Sequence, residues 1–341
     1  MFVISLLNKN TLKNIPLSVL ELAIVTDKGN AATAISNTVK IAQHTETLGY
    51  KRIWLAEHHN MEHIASSATA VLIGHIAGST NGKIRVGSGG IMLPNHSPLV
   101  IAEQFGTLAS IYHDRIDLGL GRAPGTDQLT AMALRRNNAS FVYDFHAEIL
   151  QLQNYFSSEN KNAKVRAFPG EGVHVPIWIL GSSTDSAWLA AQMGLPYAFA
   201  AHFAPAQFLA AIDIYKKNFQ PSAGLQKPYT MACVNVMAAD TDEEANFLAT
   251  SLYQMFLGII TNARRPLQAP AALSAIADRP DLQQALHNMT AYTFAGSKKT
   301  LQKKLTAFIH ETGIDELMAA SHIYDMEAKL KSFSILNEAV S

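Results

Sequence analysis

The chain is poor in charge of either sign, and this poverty excludes several classes of protein. Only 16% of its 341 residues are charged, against about 25% in a typical globular protein. Lys+Arg and Asp+Glu number 27 each, so the formal net charge is zero. No basic excess is available to neutralise the phosphates of a nucleic acid or an anionic membrane surface. The sequence therefore favours a protein that binds neither nucleic acid nor membrane.

Cysteine and long apolar runs are also scarce. The single cysteine, Cys233, excludes an internal disulfide framework and a cysteine-based zinc cluster, and its apolar-rich surroundings favour a buried thiol. No stretch of about 18 apolar residues predicts a membrane span. The apolar opening at residues 1–7 is too short for the core of a secretory signal. With 48% hydrophobic residues to build a core, we expect a globular, cytoplasmic protein.

From residue 17 onward, short β-rich runs alternate with longer helical patterns. The runs are Leu17–Leu22, Arg52–Ala56, Ile84–Ser88, Arg115–Leu120, Ile177–Leu180, Pro196–Ala200, Tyr229–Ala238 and Asp315–Ala320. Parallel strands need crossover connections, and eight strands can close into a barrel. The sequence therefore predicts an α/β fold of the (β/α)8 TIM-barrel type, in preference to a doubly wound open sheet.

The domain organisation follows from this pattern. We expect residues 1–16 to form an N-terminal extension and residues 17–341 to form one barrel domain. The excess chain after the seventh strand, roughly residues 240–294, predicts an insertion that is part helix and part loop. The run Gly119–Gly125 is spaced G-x-G-x-x-x-G, and Pro124 interrupts the start of a helix, so we exclude a dinucleotide-binding fingerprint.

Polar residues cluster where five of the predicted strands end, which is where the chemistry of a TIM barrel lies. The clusters are Glu57-His58-His59-Asn60, Ser88-Gly89-Gly90, Gly121-Arg122, Gly181-Ser182-Ser183-Thr184 and Ala201-His202. Five such clusters at one rim predict an active site there.

Two of these clusters allow a structural and a functional interpretation. Residues 181–185 can supply a simple helix cap, or a phosphate site made of backbone N–H groups, hydroxyls and the helix dipole. Arg122 strengthens the phosphate interpretation, because arginine binds phosphate through paired hydrogen bonds. Gly87-Ser88-Gly89-Gly90 can be an ordinary bulge, or a backbone that a flat ligand approaches closely.

The histidines at the second strand also leave alternatives open. Glu57, His58 and His96 could form a metal site for a barrel hydrolase. Adjacent side chains on an extended segment point to opposite sides, which makes it difficult for His58 and His59 to ligate one ion. We therefore predict no metal. The same alternation directs His58 away from Glu57 unless the chain bends after Ala56.

Four motifs together resemble the bacterial luciferase-like flavin monooxygenases. They are Ile53-Trp54-Leu55-Ala56-Glu57-His58-His59, Val86-Gly87-Ser88-Gly89-Gly90-Ile91-Met92-Leu93-Pro94, Arg115-Ile116-Asp117-Leu118-Gly119-Leu120-Gly121-Arg122 and Ala190-Ala191-Gln192-Met193-Gly194-Leu195-Pro196. The resemblance spans about residues 17–336. It implies a (β/α)8 barrel that binds FMN at the carboxyl rim of its strands.

The resemblance also assigns roles to particular residues. It implies that His58 is catalytic, that Gly89-Gly90 packs on the isoalloxazine ring, often through a cis peptide, and that Arg122 binds the phosphate. The full set of implied cofactor contacts is Glu57, Ser88, Gly89, Gly90, Arg122, Gly181, Ser182, Ser183 and Ser186. Light-emitting luciferases have glutamate at position 182 and cysteine at position 121, so Ser182 and Gly121 argue against luminescence and aldehyde substrates.

The activity that the resemblance implies is a two-component oxidation. Reduced FMN from a separate flavin reductase would react with O2 to oxidise a small organic substrate in a homodimeric enzyme. The alternatives are a non-catalytic FMN-binding protein and the metal-dependent hydrolase described above. Relatives that use a deazaflavin share the fold as well. The chemistry belongs to the cofactor, while the protein positions it and excludes side reactions.

Overall fold

A computed structural model describes residues 12–123, 125–134, 143–273 and 278–341. Most of the predicted N-terminal extension, Pro124 and part of the predicted 240–294 insertion lie outside these residues. The strands are β1 (Leu17–Glu21), β2 (Arg52–Leu55), β3 (Arg85–Ser88), β4 (Ile91–Met92), β5 (Ile116–Gly121), β6 (Ile177–Gly181), β7 (Tyr197–Phe199), β8 (Thr230–Ala238), β9 (Thr293–Gly296) and β10 (Glu316–Ala320).

Helices connect these strands along the chain. They are α1 (Ala31–Thr47), α2 (Thr69–Gly78), α3 (Pro98–Ile111), α4 (Gln128–Leu134), α5 (Phe145–Phe156), α6 (Thr184–Gln192), α7 (Phe208–Asn218), α8 (Asp242–Ile260), α9 (Pro280–Met289), α10 (Lys298–Thr312) and α11 (Met326–Val340). No helix within the described ranges is long and apolar enough to cross a membrane.

Eight of the strands close into a barrel, which confirms the predicted (β/α)8 fold. All pairs are parallel, and their order is β1-β2-β3-β5-β6-β7-β8-β10. β10 pairs with both β8 and β1, so the sheet has no edge between its first and last strands. Most barrel-strand residues are buried, as expected for strands covered on both faces.

The segment after β8 is more regular than the sequence predicts. It contains α8 and α9, and it ends in β9, which pairs with residues 235–238 of β8. The sequence does not indicate this strand, because it has four residues and no alternation that distinguishes it from a loop. β9 lies outside the closed barrel and extends the wall beside β8.

Side-chain caps explain where several helices begin. Asn30, Asp144 and Asp325 accept hydrogen bonds from backbone N–H groups in the first turns of α1, α5 and α11. Such caps satisfy donors that a helix leaves unpaired, and each stabilises the protein by about 1 kcal/mol. The cap at Asp144 starts α5 as a helix of its own, separate from α4.

The interior of the barrel contains a buried ionic network at the amino end of its strands. Arg52 Nη1 donates to Asp117 Oδ2 at 2.6 Å, and Arg52 Nε donates to Glu316 Oε1 at 2.7 Å. Arg85 Nη2 reaches the other oxygen of Asp117 at 2.7 Å, and Lys51 lies 3.3 Å from Glu316. The network joins β2, β5 and β10 at the end of the barrel opposite the predicted active site.

Replacing this arginine should destabilise the barrel. In Arg52→Met two buried carboxylates lose their main counter-charge, and we expect the free energy of unfolding to fall by about 3–5 kcal/mol in urea at pH 7. Lys217→Met breaks the exposed pair with Asp213 and serves as the control, with little expected change. Equal effects of the two substitutions would contradict this assignment.

Candidate active site

The carboxyl ends of the barrel strands bring the predicted site residues to one rim. His58 follows β2, the Gly89–Gly90 peptide follows β3, Arg122 follows β5, and residues 181–186 join β6 to α6. Because all barrel strands are parallel, these groups share the same face of the barrel.

Glu57 is buried and fully engaged by neighbouring protein groups. Its Oε1 accepts hydrogen bonds from Nε2 of His59 at 2.8 Å and Nε2 of His96 at 2.9 Å. Its Oε2 accepts from the backbone N–H of Met92 at 3.3 Å. Burial alone would raise the pKa of Glu57, but the hydrogen bonds and charges of His96 and His59 outweigh it and lower the pKa. Glu57 is thus a carboxylate that positions two histidines.

The three residues of this cluster could also offer ligands to a cation. Among the described residues, Glu57, His59 and His96 form a group whose ligand atoms all lie within 4.8 Å of one another. The metal set considered from the sequence, Glu57, His58 and His96, differs from this group in one member, because the structure places His59 on Glu57. The two imidazole N–H donations to the carboxylate account for this cluster without an ion.

His58 has a hydrogen-bond partner different from those of Glu57. Its Nδ1 lies 3.3 Å from the carbonyl oxygen of Gly125. A carbonyl only accepts, so Nδ1 carries the proton and Nε2 keeps a lone pair. Burial lowers the pKa of His58, and the Gly125 carbonyl and Glu57 only partly oppose this. His58 is therefore a neutral imidazole whose Nε2 can accept a proton.

Arg264, from the insertion, adds positive charge to the same rim. Burial lowers the pKa of His63, and the charge of Arg264 lowers the pKa of both His63 and His58 further. Its Nη1 lies 3.8 Å from the sulfur of Met61. The insertion thus reaches the rim next to His58.

The glycines after β3 are required by the packing of the barrel interior. The Gly89–Gly90 peptide bond is cis. A Cβ on Gly89 would lie 2.6 Å from Leu20 Cδ1, and a Cβ on Gly90 would collide with Leu180 Cδ1. Ser88 uses its hydroxyl within the sheet, because it bonds to both the N–H and the carbonyl of Gly119 at 2.9 Å. Residues 88–90 therefore contribute backbone atoms, and no free side-chain group, to the rim.

Arg122 lies beside the amino end of α6. Its guanidinium is half exposed and contacts the carboxylate of Asp185, in the first turn of α6, at 3.2 Å. Asp185 is 69% exposed, so its carboxylate can rotate into solvent when an anion binds Arg122. The arrangement provides a cation next to the positive end of a helix dipole.

The turn between β6 and α6 is held by side chains that face inward. The Ser186 hydroxyl donates to the Ser183 carbonyl at 2.7 Å and contacts the Tyr197 hydroxyl at 3.0 Å. A Cβ on Gly181 would collide with Ser186. Ser182 is exposed and Ser183 makes no side-chain cap bond, so the simple capping interpretation fails at Ser183. The Ser182 and Ser183 hydroxyls can instead face a ligand.

Three further polar residues near the rim were not assigned a role from the sequence. They are His202 after β7, Asn235 in β8 and His322 after β10. Burial lowers the pKa of His202 to about 4, and burial together with the charge of Lys329 lowers the pKa of His322 to about 3. Their position near strand ends was a usable signal for His202 and His322, whereas Asn235 lies within an apolar-rich run.

Comparisons with known proteins agree with this architecture. A family model described as luciferase-like monooxygenase matches residues 17–316. The protein YvbT of Bacillus subtilis (strain 168) is 50% identical over 331 residues, 97% of this chain and 98% of that protein. A luciferase-like monooxygenase of Escherichia coli (strain K12) is 46% identical over 95% of this chain and 96% of its own length. The N-acetyl-S-alkylcysteine monooxygenase of Bacillus subtilis (strain 168) is 33% identical, with coverages of 96% and 98%.

Solved structures share the barrel. Apo-MsnO8 has a TM-score of 0.88 at 33% identity and covers 95% of this chain and 98% of its own. The oxygenating constituent of 3,6-diketocamphane monooxygenase of Pseudomonas putida, solved with FMN, has a TM-score of 0.69 at 17% identity, with coverages of 96% and 97%. An F420-dependent secondary alcohol dehydrogenase has a TM-score of 0.65 at 12% identity, with coverages of 96% and 99%. The last two similarities concern the fold alone.

The low pKa values of His202 and His322 predict how stability depends on pH. The unfolded chain binds protons at these histidines below its ordinary pKa of about 6.5, whereas the folded chain does not. Stability should therefore fall from about pH 6.5 toward pH 4.5, by up to about 1.4 kcal/mol per pH unit for each histidine.

Urea unfolding of wild type and His322→Leu between pH 6 and 5 measures this dependence. Glu57 changes the pH dependence of stability only below its unfolded pKa of 4.5. Between pH 6 and 5 the slope therefore reports on the histidines. We expect a shallower slope for the variant. Parallel slopes would show that His322 is protonated in the folded protein.

Proposed function

Since this chain belongs to the luciferase-like monooxygenase family and is an enzyme of that class, we propose that it is a two-component monooxygenase. It uses reduced FMN and O2 to oxidise a small organic substrate. One observation carries the proposal: Arg122, beside the amino end of α6, lies on the same rim as His58 and the Gly89–Gly90 peptide.

The proposed phosphate site consists of Arg122, the amino end of α6 and the hydroxyls of Ser182 and Ser183. A phosphate would replace the Asp185 carboxylate on the guanidinium, and a charged acceptor suits both the arginine and the helix dipole. The side chain of Gln207 accepts from the N–H of Thr184 at 2.9 Å, which holds the turn in place. These features fit the phosphate of FMN.

The proposed ring site is the backbone of Ser88, Gly89 and Gly90. The two glycines let this peptide pack against Leu20 and Leu180, where no Cβ would fit, and the flat ring would approach the opposite side of the peptide. Bound reduced FMN would supply the electrons that activate O2. Glu57 contributes by position, since its hydrogen bonds fix His59, His96 and the N–H of Met92 around this segment.

His58 is the residue that we propose handles protons. Its Nδ1–H is held by the Gly125 carbonyl, and its neutral Nε2 can accept a proton or a hydrogen bond from the reacting groups. The metal-dependent hydrolase loses support, because His58 does not join Glu57. One relative is named for its action on N-acetyl-S-alkylcysteine, and compounds of this kind are the first substrates to test.

We also propose that the enzyme is a cytoplasmic homodimer served by a separate flavin reductase, with residues 17–341 as the barrel domain. Large apolar side chains on α2 and α3 support a self-association surface: Val71 is 72% exposed, Ile111 60% and Val100 44%. Sedimentation at micromolar concentration should then give about twice the chain mass of 37.1 kDa.

The phosphate site can be tested by comparing two flavins. Arg122→Ala should weaken FMN binding by about 2–3 kcal/mol, because the phosphate loses a charged hydrogen bond. Riboflavin, which lacks the phosphate, should bind wild type and variant equally well in a fluorescence titration. Arg166→Ala, which breaks the pair with Glu171 before β6, is the control. Equal losses for both flavins would assign Arg122 a structural role.

The proton-handling role can be tested by the coupling of oxidation. His58→Ala should retain FMN affinity while substrate oxidation falls by about 10²–10⁴-fold and hydrogen peroxide release per reduced FMN rises. His146→Ala, an exposed histidine on α5, is the control. Unchanged product yield and unchanged peroxide release in His58→Ala would leave the catalytic group unassigned.

A further inference from the structure

Three polar atoms at β7, β8 and β10 have no hydrogen-bond partner among the described residues. They are Nδ1 of His202, Oδ1 of Asn235 and Nδ1 of His322, and all three atoms are shielded from solvent. Buried polar groups in native proteins are nearly always paired, and each exception needs an explanation. Three such atoms on adjacent strands point to a bound group.

Strand register shows that these residues are neighbours. β7 and β8 pair at Phe199 and Ala232, three residues before His202 and Asn235. The amide Nδ2 of Asn235 donates to the backbone carbonyl of His202 at 2.6 Å. His202 and Asn235 therefore lie side by side at the same level of the barrel.

His322 follows β10, the strand that pairs with β8 on its other side. Asn235 pairs in register with Ala320 of β10, two residues before His322. Ala320 and Cys233 belong to the cluster that fills the barrel interior. Side chains two residues apart on a strand point to the same side, so Asn235 and His322 also face the interior.

His58 influences these residues electrostatically. The charge of His58 contributes to the low pKa of His202, and the charge of His202 contributes to that of His322, after burial and Lys329. His58, His202 and His322 therefore form one group of interacting residues at the carboxyl ends of the strands.

The chemistry of Asn235 defines one side of the bound group. Its Nδ2 donates to the His202 carbonyl, which can only accept, and this fixes the orientation of the amide. The unpaired atom is therefore Oδ1, an acceptor. A ligand must bring a donor to it, either an N–H or an O–H.

The pocket carries no net charge. His202 and His322 are neutral. The His202 imidazole has a hydrogen bond with the backbone of Cys233, so His322 is the imidazole whose N–H is available to a ligand. The nearby ammonium of Lys329 is paired with Glu21 at 2.7 Å. An ionised group would be desolvated here without a counter-charge, which is costly. The bound group is uncharged, with a donor and an acceptor close together.

We propose that His202, Asn235 and His322, here called the amide pocket, bind a secondary amide of the substrate. The amide N–H donates to Asn235 Oδ1, and the amide carbonyl accepts an imidazole N–H. This inference rests on the proposed function and names the class of substrate for the same site.

The test compares amides with ester analogues in which oxygen replaces the N–H. The amides are N-acetyl-S-methylcysteine, N-benzylacetamide and N-hexylacetamide. Calorimetric titration of the full chain, with and without FMN, measures each affinity. We expect at least one amide to bind about tenfold more tightly than its ester, which is the effect of leaving one buried acceptor unpaired.

Two variants separate the contribution of Asn235 from that of His322. Asn235→Ala should reduce the amide-to-ester ratio to about one, because the acceptor for the N–H is gone. His322→Leu removes no hydrogen bond within the described structure, and it should weaken amide and ester by the same factor while FMN affinity stays unchanged. Ser251→Ala is the control, since its hydroxyl is equally buried and unpaired but lies in α8.

Each result decides between the amide pocket and its alternatives. Failure of every amide to bind more tightly than its ester overturns the inference, and so does a loss of FMN affinity in His322→Leu. Amide preference in a protein that oxidises nothing would contradict the proposed function and support the pocket. Oxidation without amide preference would do the reverse.

Discussion

The buried guanidinium of Arg52 links β2 to β5 and to β10 across the barrel interior, and the geometry of the rim depends on it. From β2 it reaches Asp117 on β5 in one direction and Glu316 on β10 in the other. Trp178 packs against the guanidinium at 4.7 Å, and Trp54 packs on Trp178 at 5.1 Å. The ionic network and the two tryptophans fill the amino-terminal part of the barrel interior. This packing holds the carboxyl ends of the strands at fixed spacing.

The rim has two chemically different halves. On the β5–β6 side, Arg122 and Asp185 are exposed and charged beside a helix terminus. On the β7–β10 side, Asn235 and His322 are buried and uncharged. His58 lies between them with a fixed tautomer. A cofactor phosphate suits the first half and an uncharged substrate group suits the second, so one barrel face can hold both partners of an oxidation.

Much of the fold could be predicted from the sequence, because strands buried on both faces and capped helices leave local patterns. The strand-end clusters also located His58, the glycine pair and Arg122, and alternation predicted that His58 and His59 diverge. The amide pocket could not be found in this way, since only strand register brings Asn235 beside His202 and His322. The Arg52 network could have been recognised from one feature of the sequence, namely charged residues within apolar strands of a chain that has little charge.

The most direct test of the central claim is the incorporation of labelled oxygen. The purified chain is mixed with chemically reduced FMN, ¹⁸O2 and a panel of small thioethers and amides, and products are analysed by mass spectrometry. The account predicts one ¹⁸O atom in an oxidised product, with no product when FMN is omitted. Tight FMN binding with no labelled product from any compound would contradict it and indicate a non-catalytic flavin-binding protein.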